Sequence, residues 1–334
     1  MWITVENYKQ FTMNYTTLII GAGPIGIACA LACKNAGIDY VVIEKGCLVN
    51  SIYNYPLDMT FFSSSERLEI EGIPFICNAP KPKRKEALEY YRRVATSNEL
   101  NIKVYEEVKK VVKTDEHFIV ETSKQSYRAS KVVLATGFYD IPNKLNVPGE
   151  ELNKVHHYYK EAHRYSLQKV VVVGASNSAV DAALEIWRKG GEVTMIVRGK
   201  EIGNRVKYWV RPDIENRITE GSITAYFESE IEEITETTVK FRTPNGIKEI
   251  ENDHVLALIG YKPNFEFLES LGVALSNDGN KYPNYNPQTM ESNVPGLYLA
   301  GVVCGGLATH EWFIENSRIH AKRIASHIAH GELV

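Results

Sequence analysis

The sequence predicts an α/β protein with two doubly wound, three-layer domains, in which helices cover both faces of a parallel sheet. Three observations predict this fold class. A strand, a glycine-rich turn, a helix and a second strand follow one another from Thr17, the same order returns from Lys169, and short alternating β segments lie between the copies. Alternating strands and helices are typical of parallel sheets.

The first copy, residues 17–45, has the spacing of a Rossmann-like dinucleotide site. Gly21 makes the tight turn after the strand, Gly23 lets the backbone approach a pyrophosphate, and Gly26 lets the helix pack closely. The helix N-terminus offers N–H groups and a positive dipole end to the anion. Glu44 ends the second strand, where an acid accepts hydrogen bonds from ribose hydroxyls.

The second copy begins at Lys169–Val173 and differs from the first in its charge. Gly174, Ser176 and Ala179 stand where the first copy has three glycines. Arg198 follows the second strand, close to the position that Glu44 has in the first copy. A cation there accommodates a 2′-phosphate, so we predict NADPH at this site, with Lys200 adding positive charge.

The remaining segments predict how the two domains are divided. Residues 50–70 are rich in aromatic and hydroxyl side chains and should form a loop at the ligand crevice. Residues 101–134 contain three short strands, which predict a small antiparallel β insertion that ends with a return to the main sheet at Ala135, Thr136 and Gly137. We expect residues 223–248 to close the second domain in β segments, and DHVLALIGYKPN to return to the first.

The end of the chain predicts one more strand of the first domain. PGLYLAG, which ends at Gly301, should be that strand, and a long helix should follow it from about His310 to His330. We therefore predict a discontinuous FAD-binding domain at 13–150 and 253–334, around an NADPH-binding domain at 151–252. The first strand should begin near Thr17, Met13 is a candidate start of the natural chain, and we assign residues 1–12 no function.

Composition excludes several classes of function. With 44% hydrophobic residues, 24% charged residues and a net charge of −3, the chain is an ordinary globular protein without a basic footprint for nucleic acid. No apolar stretch is long enough for a membrane span, and we assign no metal site. The five cysteines include no CxxC pair, which favours the cytoplasm over a secreted disulfide framework.

The two dinucleotide sites differ in the charge that follows the second strand, which is an acid in the first copy and a cation in the second. Together they predict an electron relay from NADPH through FAD to an electron acceptor. On the motifs VIEKG, NSIYNYP, MTFFSSSERLEI, ATGFYD, NSAVDAALE and FIENSRIH, the chain resembles the bacillithiol-disulfide reductases of the YpdA family. That family lies within the low-molecular-weight thioredoxin-reductase class of flavoproteins. The resemblance implies a cytosolic homodimer with FAD that uses NADPH to reduce a low-molecular-weight thiol disulfide.

By motif match, the resemblance also implies which residues hold the cofactors. The implied FAD residues are Gly21, Gly23, Pro24, Ile25, Gly26, Glu44, Lys45, Val108, Ala135, Thr136, Gly137, Gly301 and Val302. The implied NADPH residues are Gly174, Ser176, Asn177, Ser178, Ala179, Arg198 and Lys200.

The chain departs from these relatives in its cysteines. It lacks the CxxC pair of the thioredoxin reductases, which excludes protein-disulfide exchange by that route. Ile25 stands where the narrower family commonly has a cysteine, and Ile25 cannot attack a disulfide. Cys304 is the candidate catalytic thiol, because a helix N-terminus beside it should lower its pKa; the alternative is a small residue packed beside the cofactor. Cys29 and Cys33 have the spacing of a core face.

Two other functions remain open at this point. A class B flavin monooxygenase also uses two dinucleotide folds, although the segment from Gly149 to His156 has the wrong spacing for its fingerprint. The third function is an NADPH-dependent reductase of ferredoxin or flavodoxin, which a carrier-dependent assay would distinguish.

Overall fold

The computed structural model describes residues 12–331, which form two compact units. The first unit comprises residues 12–54, 59–141 and 262–331, and the second comprises Tyr55–Asp58 and Pro142–Tyr261. The predicted second domain, 151–252, was therefore too short at both ends, and Tyr55–Asp58 was not expected in it. The reason is packing, because Leu145 and Val147 lie against the core of the second unit.

The helices and strands are numbered in chain order through both units. The strands are β1 (Thr12–Ile20), β2 (Tyr40–Ile43), β3 (Ile102–Lys103), β4 (Val108–Lys113), β5 (Phe118–Thr122), β6 (Ser126–Leu134), β7 (Ile141–Pro142), β8 (Val155–His156), β9 (Lys169–Val173), β10 (Glu192–Ile196), β11 (Thr224–Tyr226), β12 (Glu230–Ile234), β13 (Thr238–Thr243), β14 (Gly246–Glu251), β15 (His254–Ala257), β16 (Tyr261–Lys262) and β17 (Leu297–Leu299). The helices are α1 (Pro24–Asn35), α2 (Asn50–Asn54), α3 (Arg84–Ser97), α4 (Asn177–Arg188), α5 (Arg211–Thr219), α6 (Phe265–Ser270), α7 (Ile314–Ser317) and α8 (Ile319–His330).

The sheet of the first unit has the order β3-β2-β1-β6-β5-β4, and β17 also pairs with β6. β1 is parallel to both β2 and β6. The first half of β6 pairs antiparallel with β5, and its second half pairs in parallel with β17. The predicted antiparallel strands are thus present, but they are hydrogen-bonded into the main sheet.

The first strand begins earlier than predicted. β1 starts at Thr12 because its first half pairs with residues 126–129 of β6, a partner far away in the sequence. Residues 1–11 lie outside the described residues, and they are all but the last residue of the segment 1–12 to which we assign no function. Within 12–331, no helix is long and apolar enough to cross a membrane.

The second unit repeats the parallel design with the strand order β11-β10-β9-β15-β8. The prediction that DHVLALIGYKPN returns to the first domain is wrong, since β15 pairs in parallel with β9. A continuous apolar run fits any strand that is buried on both faces, so this run could not identify its own sheet. β12, β13 and β14 form a separate antiparallel sheet.

The C-terminal segment is also less regular than predicted. In place of one helix from His310 to His330, the chain forms a 3₁₀ turn at Gly301–Gly305 and then the separate helices α7 and α8. The predicted core face of α1 is confirmed, because Cys29 and Cys33 are each 1% exposed.

Candidate dinucleotide sites

In the first unit, the predicted FAD residues follow strands that end at one edge of the sheet. The turn after β1 is bonded to both neighbouring strands, since Gly21 N–H donates to the Ile43 carbonyl at 2.8 Å and Ala135 N–H to the Ile20 carbonyl at 2.9 Å. Ala300 N–H donates to the Leu134 carbonyl at 2.9 Å, which places Gly301 at this edge. Ligands of doubly wound sheets bind at this carboxyl edge.

The three glycines of the first turn have different surroundings. Gly21 has a φ of +104°, and a Cβ there would lie 2.5 Å from the Ala135 carbonyl oxygen. A Cβ on Gly26 would lie 1.8 Å from the Gly21 carbonyl oxygen, whereas a Cβ on Gly23 would meet nothing within 4 Å. Two of the glycines are therefore required by the protein itself. Gly23 leaves open space at the start of α1, where a pyrophosphate fits.

Glu44 has a structural task that the sequence did not reveal. It is buried, and its two carboxylate oxygens accept the Ala22 and Gly46 N–H groups, each at 2.8 Å. Burial raises the pKa of Glu44, and the two hydrogen bonds oppose that rise. Glu44 thus fastens the glycine-rich turn to the end of β2. Each carboxylate oxygen keeps a further lone pair with which to accept a ribose hydroxyl.

The other implied FAD residues lie around this edge. Lys45 forms an ion pair with Asp140 at 2.7 Å. Gly301 has a φ of +85° and leaves room for Ile25, because a Cβ on Gly301 would approach the Ile25 side chain to 3.3 Å. Pro24 is the first residue of α1, Thr136 and Gly137 follow β6, and Val302 lies in the 3₁₀ turn. Val108 begins β4, two residues after Glu106, whose N–H donates to the Glu44 carbonyl at 2.9 Å.

The turn in the second unit begins with a glycine that is under the same kind of constraint as Gly21. Gly174 has a φ of +125°, and a Cβ there would lie 2.5 Å from the Leu258 carbonyl oxygen and 3.2 Å from the Ala179 Cβ. Ser176 precedes the first residue of α4, and its side chain and that of Ser178 are exposed. Exposed hydroxyls beside a helix N-terminus fit a phosphate group.

The Asn177 side chain fastens a neighbouring segment, a contact that sequence reasoning missed. Its Nδ2 donates to the Arg205 carbonyl at 3.1 Å, and its Oδ1 accepts the Lys207 N–H at 2.8 Å. The Lys207 ammonium also pairs with the Asp181 carboxylate at 2.6 Å, largely out of solvent. Segment 203–207 is thus fixed beside the turn at Gly174, and the amide of Asn177 is already engaged.

Comparison with known proteins identifies the family. The model of the pyridine nucleotide-disulphide oxidoreductases matches residues 18–301. The chain belongs to this family. It is 47% identical to the bacilliredoxin reductase Bdr of Bacillus subtilis over 94% of this chain and 98% of that protein.

Two solved structures support the same family and confirm the predicted fold class. The bacillithiol disulfide reductase Bdr (YpdA) from Bacillus cereus is 44% identical, with a TM-score of 0.94 over 96% of this chain and 100% of that chain. Its counterpart from Staphylococcus aureus is 41% identical, with a TM-score of 0.92 over 94% of this chain and 98% of that one. The family implies that this oxidoreductase uses a flavin and a nicotinamide nucleotide.

The cations predicted for the nicotinamide nucleotide are accessible in this oxidoreductase. Arg198 and Lys200 follow β10 at the carboxyl edge of the second sheet, and both side chains are exposed. Lys200 approaches Glu228 only to 3.9 Å, with both side chains largely in solvent. A surface pair of this kind contributes little, so it does not prevent Lys200 from binding a phosphate.

Cys304 does not have the environment predicted for a reactive thiol. It lies in the 3₁₀ turn, is 1% exposed, and its Sγ is 3.9 Å from His320 Nδ1. Burial raises the pKa of Cys304 well above its usual value, so the predicted lowering by a helix end is wrong. A thiol that stays protonated is a poor nucleophile.

Proposed function

We propose that this oxidoreductase binds FAD in its first unit and NADPH in its second, and that it reduces a thiol disulfide of the bacillithiol-disulfide type. The proposal rests on the two glycine-rich turns and on the charges that distinguish them. In each unit a helix and a second strand follow the turn, and the charged residue after that strand is Glu44 in the first unit and Arg198 in the second. The names of the two solved relatives, at 41% and 44% identity, supply the substrate class. When bound, FAD would supply the two-electron chemistry that links the oxidation of NADPH to the reduction of the disulfide.

The balanced reaction consumes one NADPH, one proton and one disulfide, and it yields NADP⁺ and two thiols. The role of the chain is to hold the cofactors: the turn at Gly23 receives the pyrophosphate, Glu44 the ribose, and Arg198 with Lys200 the 2′-phosphate.

Cys29, Cys33 and Cys304 are buried, so no thiol among these three is placed to attack a substrate. All five cysteines are free, which supports a cytoplasmic location, and we propose a homodimer by resemblance.

The decisive experiment is an anaerobic titration of the flavin-loaded protein. NADPH is added to bleach the flavin absorbance, and bacillithiol disulfide, glutathione disulfide, cystine, oxidised ferredoxin or buffer is then added. We expect bacillithiol disulfide to restore the absorbance fastest. If no disulfide acts faster than buffer, the disulfide-reductase proposal is wrong, and a response to ferredoxin alone would favour the electron-carrier alternative.

Cys304→Ser should leave the kcat for disulfide reduction unchanged, because the thiol is buried and protonated. Steady-state NADPH oxidation with bacillithiol disulfide measures this, and Cys77→Ser serves as the control for loss of a partly exposed thiol. A loss of disulfide-dependent turnover in Cys304→Ser, with flavin reduction by NADPH intact, would place the thiol in the mechanism.

Arg198→Ala should raise the KM for NADPH about 10- to 100-fold and leave the KM for NADH unchanged, since a hydrogen bond to a charged group contributes about 1.5–3 kcal/mol. Steady-state kinetics with the two nucleotides measure the change. Lys189→Ala, an exposed cation at the other end of α4, controls for a general loss of positive charge. Equal effects on NADPH and NADH would contradict recognition of the 2′-phosphate.

A further inference from the structure

His320, at the start of α8, is a fully buried histidine that the proposed reaction does not use. It is 0% exposed, and its Nδ1 accepts the Gly301 N–H at 3.1 Å. The same nitrogen lies 3.9 Å from the Cys304 Sγ, within range of a weak bond from the thiol. Two groups of the turn after β17, a backbone amide and a thiol, therefore face one imidazole nitrogen.

These contacts determine the form of the imidazole. A nitrogen that accepts an N–H has no proton of its own, so the proton of neutral His320 is on Nε2. Nε2 has no hydrogen-bond partner among the described residues, and the Trp312 ring packs at 70° to the imidazole with 4.5 Å between centroids. Burial lowers the pKa of His320 to about 4, which keeps the imidazole neutral. One side of the ring thus binds the turn, while the other has no polar partner.

Gly301 lies between His320 and the first glycine-rich turn. Its φ is +85°, and a Cβ there would approach the Ile25 side chain to 3.3 Å. Ile25 belongs to the first turn of α1, beside the predicted pyrophosphate position. The orientation of the Gly301 peptide is therefore set by packing against α1 on one side and by the imidazole acceptor on the other.

We propose that His320 is a positioning residue for the flavin site: its neutral Nδ1 fixes the Gly301 amide at the end of β17. The proposal rests on the assignment of FAD to the first unit. In this role the contact between His320 and Cys304 differs from that of a catalytic Cys–His pair. The imidazole accepts from the thiol and from the backbone, so it holds the turn in place and does not generate a thiolate.

The test compares two substitutions whose side chains have the same number of heavy atoms and the same branching at Cγ. Asn and Leu both remove the ring that packs on Trp312, but only Asn carries an oxygen that can accept the Gly301 N–H where Nδ1 stands. We expect His320→Leu to bind FAD about tenfold more weakly and His320→Asn to stay near the wild type, because only Leu leaves a buried N–H without an acceptor. FAD fluorescence released on dilution of the holoprotein measures the affinity, and the visible spectrum of bound flavin gives a second readout.

The control is His327→Leu, which removes another histidine of α8, one that contacts the Tyr298 hydroxyl at 2.9 Å and not the Gly301 turn. It should leave FAD affinity and the flavin spectrum unchanged. Equal FAD affinity in His320→Leu and His320→Asn would overturn the positioning role while leaving the FAD assignment intact. A wild-type protein that retains no FAD would overturn the FAD assignment itself, together with this proposal.

Discussion

Gly26→Ala should yield a protein that retains little FAD and unfolds at a lower urea concentration than the wild type. The added Cβ would lie 1.8 Å from the Gly21 carbonyl oxygen, so the turn or the start of α1 must move. Overpacking commonly costs about 1–3 kcal/mol, and a backbone atom yields less easily than a side chain, so we expect at least about 3 kcal/mol. Urea unfolding and the flavin absorbance per protein measure the two effects.

Gly23→Ala is the matched control, since it makes the same change three residues earlier in the same turn. A Cβ there meets nothing within 4 Å, and the φ of −71° is one that alanine adopts readily. We therefore expect unchanged unfolding of the FAD-free protein but weaker binding of FAD, whose pyrophosphate would meet the added methyl group. Undiminished FAD affinity in Gly23→Ala would contradict the placement of the pyrophosphate at this turn.

The two turns were predictable because their requirements are local. Gly21 and Gly174 have φ values of +104° and +125°, which residues with a side chain rarely adopt. A glycine is therefore favoured at each position, and its place directly after a strand can be recognised in the sequence. The charge contrast between Glu44 and Arg198 was equally readable. Both features depend on a few neighbouring residues of one strand–turn–helix unit.

Long-range packing decided what the sequence could not reveal. The apolar strand β15 suits either sheet, and only its pairing with β9 assigns it to the second unit. Cys304 was placed correctly after the last strand, but its buried surroundings come from segments distant in the chain, including α8. Burial, and not the helix end, controls the pKa of Cys304. The predicted position of Cys304 was therefore correct, whereas the predicted lowering of its pKa was wrong.

Glu44→Ala should release the first turn from β2 and reduce both stability and FAD retention. The Ala22 and Gly46 N–H groups would lose their acceptors, at a cost of about 1–3 kcal/mol for each donor that stays buried. Glu44→Gln should fall between Ala and the wild type, because its single amide oxygen can accept from only one of the two N–H groups. Urea unfolding of the FAD-free proteins isolates this structural part from the loss of ribose contacts.

The pH dependence of these variants tests the burial of the same carboxylate. Because burial raises the pKa of Glu44 in the folded protein, the folded state binds the proton more tightly than the unfolded state. The contribution of Glu44 to the unfolding free energy should therefore decrease as pH rises from 4.5, the ordinary pKa of a glutamate side chain, through the higher pKa of the folded state. Glu44→Gln cannot titrate, so the difference in unfolding free energy between the wild type and this variant should change across that window and be constant above it. A constant difference throughout would mean that the pKa of Glu44 is the same in the folded and unfolded states, with the two hydrogen bonds offsetting the effect of burial.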